Sequence, residues 1–297
     1  MPVAASLIDL AERGGLRGVR LVPTMLSALR HGLRSASAVR GRQLGFFAWT
    51  VFGAALAVWI LVVMRRWLSP GDWAVAVAVE GVWFGVFTFL SYAHLDLVRR
   101  ADGTPYGGFL LPNGLTLNRM TLAPLVCFAA VHALELRPEA DLVLWPLVYV
   151  VGSDLLDGQI ARFWGMRSEW GRLADPVSDV FLATWFAPGL WIGGWLAPWL
   201  GFLIVFRFAG ALAGVFLVWG RGRSMHITPT WPGRAANLAV EFYLPALFAA
   251  AIRWPSWFGM VWLAEFHWVV GGLIVVSIIY SFGRFLQALR ARPAAGA

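Results

Sequence analysis

The chain has 297 residues, of which 59% are hydrophobic and only 13% charged, with a mean hydropathy of +0.69. Soluble globular domains carry nearer a quarter charged residues, so this balance excludes that class and marks a multi-pass membrane protein. The formal charge of +8 rests on arginine alone, for there is no lysine; the arginines are spread over many short loops, which argues against a nucleic-acid partner and for loops facing anionic membrane lipids.

Residues 1–43 read as a basic N-terminal cytoplasmic segment. Arg13, Arg17, Arg20, Arg30, Arg34, Arg40 and Arg42 are interrupted by Gly14, Gly15 and Pro23, and no apolar core of the length a cleavable signal peptide needs is present. Leu7, Leu10, Leu16, Leu26 and Leu29 suit short amphipathic helices on the membrane surface; a partly disordered tail is the alternative. Residues 44–108 read as a two-helix transmembrane extension. The first span covers 44–64 and the second about 73–97. The second carries Glu80 well inside, and a carboxyl at that depth is expected to face neighbouring helices. Asp102-Gly103 and Pro105 lie in the loop that closes the extension.

A core follows over 109–285. LPNGLTLNRMTLAPL, residues 111–125, opens it with Pro112 and Asn113 at a helix start, where unpaired amide N–H groups attract phosphate. This helix is expected to run to about residue 134 and to end in the acidic turn 135–141. Further spans are expected over 142–163, 171–187, 200–219, 235–252 and 258–282, before a C-terminal tail over 286–297. Cys127 is the one cysteine, so neither an intrachain disulfide nor a cysteine metal site can form. The fold class is therefore all-α integral membrane, with about eight transmembrane helices. Arginine-rich loops at 98–112, 163–172 and 220–234 place both termini on the cytoplasmic side.

The acidic centre of this core is GSDLLDGQIARFWGMRSEWGRLADPVSD, residues 152–179. Asp154 and Asp157 share one helix face with Gly158, Ala161 and Arg162, and Gly171, Asp175 and Asp179 step by four along a second. Two helices joined by a short turn could bring all four carboxylates to one point. So clustered, they repel unless a cation neutralises them, and an all-oxygen donor set suits Mg2+ or Mn2+.

The pattern D-x2-D-G-x2-A-R-x8-G-x3-D-x3-D is filled at every fixed position, and it resembles the defining motif of the CDP-alcohol phosphatidyltransferase family. Asn113, Leu115, Thr116, Arg119 and Pro124 are similar to the N-x-L-T-x-x-R opening of the family's first core helix. The resemblance covers about residues 109–285 and implies a six-helix core preceded here by two extra helices. It implies that one or two divalent cations are held by Asp154, Asp157, Asp175 and Asp179, with Asp179 also the base for the attacking hydroxyl. Asn113, Thr116, Gly158, Ala161, Arg162 and Gly171 would contact CDP-diacylglycerol: the small residues allow close approach, and Arg162 offers a forked contact to phosphate. A homodimer in the bacterial inner membrane, with its active site on the cytoplasmic side, is likewise implied.

The acceptor is the harder part. Arg207 in mid-span needs an anionic partner, either an acceptor phosphate or Glu241. Arg207, Arg234, the run from Asp175 to Asp179, and Arg119 with Pro124 resemble family members that use glycerol 3-phosphate. Val180, Phe208, Ala236 and Asn237 depart from them, standing where those enzymes have Lys, Glu, Lys and Thr. Glycerol 3-phosphate is the expected acceptor; phosphatidylglycerol, serine, choline and an inositol phosphate are alternatives. A cation-coupled transporter built on intramembrane carboxylates and an inactive scaffold are the readings from other classes.

Overall fold

The computed structural model describes residue 33 and residues 39–220 and 230–290. The amphipathic helices expected before residue 39, most of the 220–234 loop and the last residues of the tail lie outside the described residues. Among those described there are nine α-helices and no β-strand, only an isolated antiparallel bridge between Arg99 and Pro105. The helices are α1 (Arg40–Met64), α2 (Pro70–Ala93), α3 (Leu111–Thr121), α4 (Ala123–Val131), α5 (Ala140–Phe163), α6 (Glu169–Ile192), α7 (Pro198–Gly220), α8 (Trp231–Arg253) and α9 (Val261–Arg290).

Local chemistry sets several of these boundaries. Ser69 caps α2 by accepting from the Asp72 amide at 3.1 Å, with Pro70 in the first turn. Thr230 caps α8 in the same way through Gly233, also at 3.1 Å. The C-terminal helix continues beyond the expected end at 282 to Arg290, because no breaker occurs before Pro293.

The first core helix differs from its expectation. It is not one rod over 111–134 but two helices meeting at a 44° bend around Leu122. Pro124 is the cause: it has no N–H to give the Met120 carbonyl four residues back, and its ring crowds that turn. The released carbonyl is satisfied from another helix, by Trp83 Nε1 of α2 at 2.9 Å. A broken helix inside a membrane protein needs such a donor, because lipid offers none.

Four described helices are long and apolar enough to cross a membrane, or five with α3 and α4 as one bent span. Length and composition thus support a multi-pass membrane protein with fewer clear spans than the eight expected. Residues Phe47, Val51, Val58 and Val62 of α1 and Trp268, Val276 and Ile279 of α9 are exposed, as lipid-facing positions should be.

Among the described residues the interior holds two apolar clusters, a large one running from α1 through α4, α6, α7, α8 and α9 and a smaller one joining Phe46, Leu95, Phe109, Leu117 and Trp170. The backbones of α4 and α6 approach closely: a side chain at Gly189 would put its Cβ 2.6 Å from the Cys127 carbonyl oxygen, so only glycine fits. On the other flank of α6, Trp83 and Phe87 of α2 pack edge-on against Phe181, and Trp83 also against Trp185. Glu80 faces the neighbouring helices as expected. It is 2% exposed, and neither carboxyl oxygen has a hydrogen-bond partner among the described residues.

Candidate active site

The site is built on α3, which packs against both α5 and α6. Asn113, Thr116 and Arg119 recur every three residues on α3 and all are buried. The Thr116 hydroxyl lies 2.9 Å from Asp157 Oδ2 of α5 and 2.9 Å from Asp175 Oδ1 of α6, so a single oxygen marks the point at which two carboxylates from different helices meet. Three residues on, Arg119 Nη1 approaches Asp157 Oδ2 at 3.4 Å and Nη2 approaches Asp179 Oδ1 at 3.2 Å. Arg119 is wholly buried, and Ser178 Oγ accepts from its Nε at 3.0 Å while itself donating to the Asp175 carbonyl at 2.8 Å.

Asn113 joins the start of α3 to the start of α6. Ser168 caps α6 by accepting from the Gly171 amide at 3.0 Å, and its hydroxyl donates to Asn113 Oδ1 at 2.8 Å. The Asn113 amide nitrogen is buried with no partner among the described residues. Gly171 lies beneath this pair, and a Cβ there would stand 3.2 Å from Asn113 Oδ1. Two helix N-termini and an unpaired amide donor therefore converge beside the carboxylates, an arrangement that favours an anion.

Asp157, Asp175 and Asp179 are thus drawn together with Thr116, Asn113 and Gly171. The Asp154 backbone lies in α5 one turn before Gly158, and its side chain lies outside those described. Gly158 has only Arg162 near its missing side chain, with Nη1 3.3 Å from a Cβ placed there. Ala161 is half-buried, and Arg162 is exposed at the end of α5. Among the described residues, the contacts of Arg207 lie away from these carboxylates. Arg207 donates to the Ser277 hydroxyl and the Gly233 carbonyl, each at 3.1 Å, and its guanidinium lies 4.7 Å from the centre of the Phe208 ring. Glu241 is not among these contacts. Arg234 is exposed one residue beyond Gly233.

Arg119, Ser168 and Ser178 were not among the expected site residues. Arg119 alone had a readable signal: an arginine three and six residues after Thr116 and Asn113, in an apolar helix, needs carboxylate company. Ser168 and Ser178 are ordinary polar residues until α3 is laid against α6.

Three carboxylates of the motif thus stand on two helices, α5 and α6, that both pack on a third, α3. A model of the family described as CDP-alcohol phosphatidyltransferase matches residues 109–276, more than half of the chain. The chain belongs to the CDP-alcohol phosphatidyltransferase family. It is accordingly an enzyme of that class, working in the membrane on a CDP-alcohol donor and an alcohol acceptor.

Within the family, the chain is 28% identical over 181 residues to a Mycobacterium tuberculosis protein named "Probable phosphatidylglycerophosphate synthase", covering 61% of this chain and 82% of that one. It is 27% identical over 179 residues to the cardiolipin synthase (CMP-forming) of Streptomyces coelicolor, covering 57% and 82%. A Drosophila melanogaster protein named "Probable cardiolipin synthase (CMP-forming)" is 32% identical over 109 residues, but these are 36% of this chain and only 32% of that relative's length. No solved structure matches the chain.

The donor set of this phosphatidyltransferase fits a hard divalent cation in chemistry: three carboxylates and a hydroxyl, with one guanidinium offsetting part of the negative charge. Among the described residues, which leave out the Asp154 side chain, no three acidic, histidine or cysteine side chains are grouped closely enough to hold an ion, and Thr116 and Arg119 lie between the carboxylates. Asp179 is 35% exposed and lines a cleft between α6, α7 and α8. The other walls of that cleft are largely apolar, from Leu182, Phe186, Phe208 and Leu244, with Asn237 and Glu241 the remaining polar residues.

Proposed function

We propose that the protein transfers a phosphatidyl group from CDP-diacylglycerol to glycerol 3-phosphate, forming phosphatidylglycerophosphate and releasing CMP. One observation carries this reading: Asp157, Asp175 and Asp179, from two helices, are gathered about Thr116 and Arg119 of a third.

The donor's pyrophosphate lies at the paired starts of α3 and α6, where the unpartnered Asn113 amide and the backbone N–H groups beside Gly171 receive its oxygens. Gly158 and Ala161 leave the α5 face open to the nucleotide, and Arg162 at the helix end meets phosphate from the water side. An acyl chain lies in the apolar cleft. Asp154, Asp157, Asp175 and Asp179 would hold Mg2+ or Mn2+, which supplies neutralisation of the pyrophosphate charge and polarisation of the bond to be broken.

Asp179, partly exposed at the head of the cleft, takes the proton of the acceptor hydroxyl. The hydroxyl oxygen bonds to the phosphatidyl phosphorus, and the bond from that phosphorus to the bridging oxygen breaks, so CMP departs with that oxygen. Arg119 holds Asp179 and Asp157 in orientation and offsets part of their repulsion. The acceptor phosphate is received by Arg207, which reaches the first turn of α8 through the Gly233 carbonyl, and by Arg234, the next residue of that turn.

Phosphatidylglycerol is the second reading for the acceptor, favoured by the apolar walls that surround Asp179. Family membership supports either transfer over the transporter. The same reading keeps eight spans, a 44–108 extension before a 109–285 core, the site on the cytoplasmic side of a bacterial inner membrane, and a homodimer; the arginine-rich loops support the orientation.

The test is CMP release from CDP-diacylglycerol by purified protein with Mn2+ or Mg2+, offered each alcohol in turn. Release that needs metal and glycerol 3-phosphate, and stops with EDTA, is the expected result. Release with phosphatidylglycerol alone would move the assignment to cardiolipin formation, and no release with any alcohol would sink the reading.

A further inference from the structure

The two helices that carry the carboxylates barely touch each other: α5 and α6 each pack on α3, and little direct contact joins them. Besides α3 and α8, each of which packs on both helices, what fixes Asp157 relative to Asp175 is the turn between them, residues 164–168. Gly165 turns the chain there with φ +64°, a conformation side chains disfavour.

That turn is held from outside the core. Tyr106 Oη lies 3.0 Å from the Gly165 carbonyl and 3.0 Å from the Arg167 carbonyl, so one hydroxyl serves both sides of Met166. A second tie lies beside it, where the Glu169 amide at the start of α6 donates to the Arg99 carbonyl at 2.9 Å. Tyr106 is itself fixed. Its amide donates to Val98, its carbonyl accepts from Arg42 Nε at 2.6 Å, and the Arg100 guanidinium lies 5.2 Å from its ring centre. Arg42, in the first turn of α1, is 5% exposed and reaches the Leu95 carbonyl as well. In the same loop the Thr104 amide donates to Asp102 at 2.8 Å and holds that carboxyl below the usual carboxylate range.

A continuous path of hydrogen bonds therefore runs from α1, through the loop closing the extension, to the turn that spaces the carboxylates. We infer that Tyr106 is a positioning residue of the active site: its hydroxyl, anchored by the N-terminal extension, sets the register in which α5 and α6 deliver Asp157 and Asp175 to Thr116. The extension thereby has a task in the reaction beyond anchoring, although it precedes the residues matched by the family. Small displacements of ligating groups are enough to weaken a site, so losing one such tie is felt at the carboxylates.

Tyr106→Phe in the full chain removes only the hydroxyl. Tyr92→Phe, which removes an extension hydroxyl bonded to Gln43 instead, is the matched comparison. Three readouts are taken in detergent: Mn2+ binding by the resonance of free Mn2+, hydrogen exchange of the 163–168 turn, and the Mn2+ dependence of CMP release. Tyr106→Phe is expected to bind Mn2+ about tenfold more weakly, to exchange faster at the turn and to need correspondingly more Mn2+ for half-maximal release, with Tyr92→Phe matching the wild type. Unchanged Mn2+ affinity or unchanged exchange in Tyr106→Phe would overturn the inference, as would a lower melting temperature with normal Mn2+ binding, the mark of a purely structural tie. Only the third readout rests on the proposed reaction. Wild-type protein that binds Mn2+ but releases no CMP would sink that reaction and leave Tyr106 judged by the first two.

Discussion

Arg119 Nη2 and Asp179 Oδ1 meet at 3.2 Å across the interface of α3 and α6, with the guanidinium fully buried. The same group reaches Asp157 at 3.4 Å, so one cation of the first core helix spans both halves of the acidic motif. Removing it leaves the buried Asp157 without its cation and facing the neighbouring carboxylates. Arg119→Met is therefore expected to destabilise the protein by about 3–5 kcal/mol and to abolish CMP release. Arg119→Lys keeps the charge but not the fork that meets Ser178 and two carboxylates, so it should retain stability better than activity. Thermal melts in detergent beside a CMP assay check both, and a fully active Arg119→Met would remove Arg119 from the site.

Asp179→Asn keeps the shape of the side chain and removes its ability to take a proton. CMP release should fall by about a hundredfold or more, the range of a lost general base. Protection of the protein by CDP-diacylglycerol against heat should persist in large part, because Asn113 and Gly171 still meet the pyrophosphate and Asp154, Asp157 and Asp175 remain to hold the cation. Loss of protection together with activity would instead make Asp179 part of donor binding.

The acidic motif was legible because its spacing alone puts Asp154 with Asp157, and Asp175 with Asp179, on single helix faces. The structure adds what spacing along one chain cannot carry, the lateral partners. Thr116 stands between Asp157 and Asp175 only once α3 is placed against both helices. Arg207 shows the converse. An arginine in an apolar span was read as needing an anionic partner, yet the groups it meets in the structure are a hydroxyl, a carbonyl and an aromatic ring, neutral groups a search for opposite charge passes over. The bend at Leu122 could have been read from Pro124, but two turns of good helix on either side outweighed one proline in a pattern-based reading.

That bend yields a test of fold energetics. Trp83 Nε1 satisfies the Met120 carbonyl that Pro124 releases. Trp83→Phe keeps most of the packing against Phe181 and leaves the carbonyl buried without a donor, so it should destabilise by about 1–3 kcal/mol. In a Pro124→Ala background residue 124 regains its N–H, and the same substitution should matter less. The coupling between the two sites, read from melts of the four variants, is the measurement; strict additivity would mean that Trp83 acts by packing alone.

The acceptor assignment turns on Arg207. Its Nε and Nη2 are occupied by Ser277 and Gly233, which hold the guanidinium at the first turn of α8 close to the exposed Arg234. If the two arginines receive the phosphate of glycerol 3-phosphate, Arg207→Gln loses a charge-assisted contact worth about 1.5–3 kcal/mol, and KM for that acceptor should rise by at least about tenfold. KM for CDP-diacylglycerol should stay near its wild-type value, since the contacts to the donor's pyrophosphate lie on α3, α5 and α6 and the cleft that takes its acyl chain is lined by apolar residues. Arg234→Gln should shift the same constant less, because a water-exposed arginine gives up less on losing an anion. Ser277→Ala separates the roles: it loosens the hold on Arg207 without removing charge, so a small rise in acceptor KM is expected. Equal losses in Arg207→Gln and Ser277→Ala, spread over donor and acceptor alike, would instead make Arg207 a strut between α7, α8 and α9, and the phosphate of the acceptor would have to be sought elsewhere.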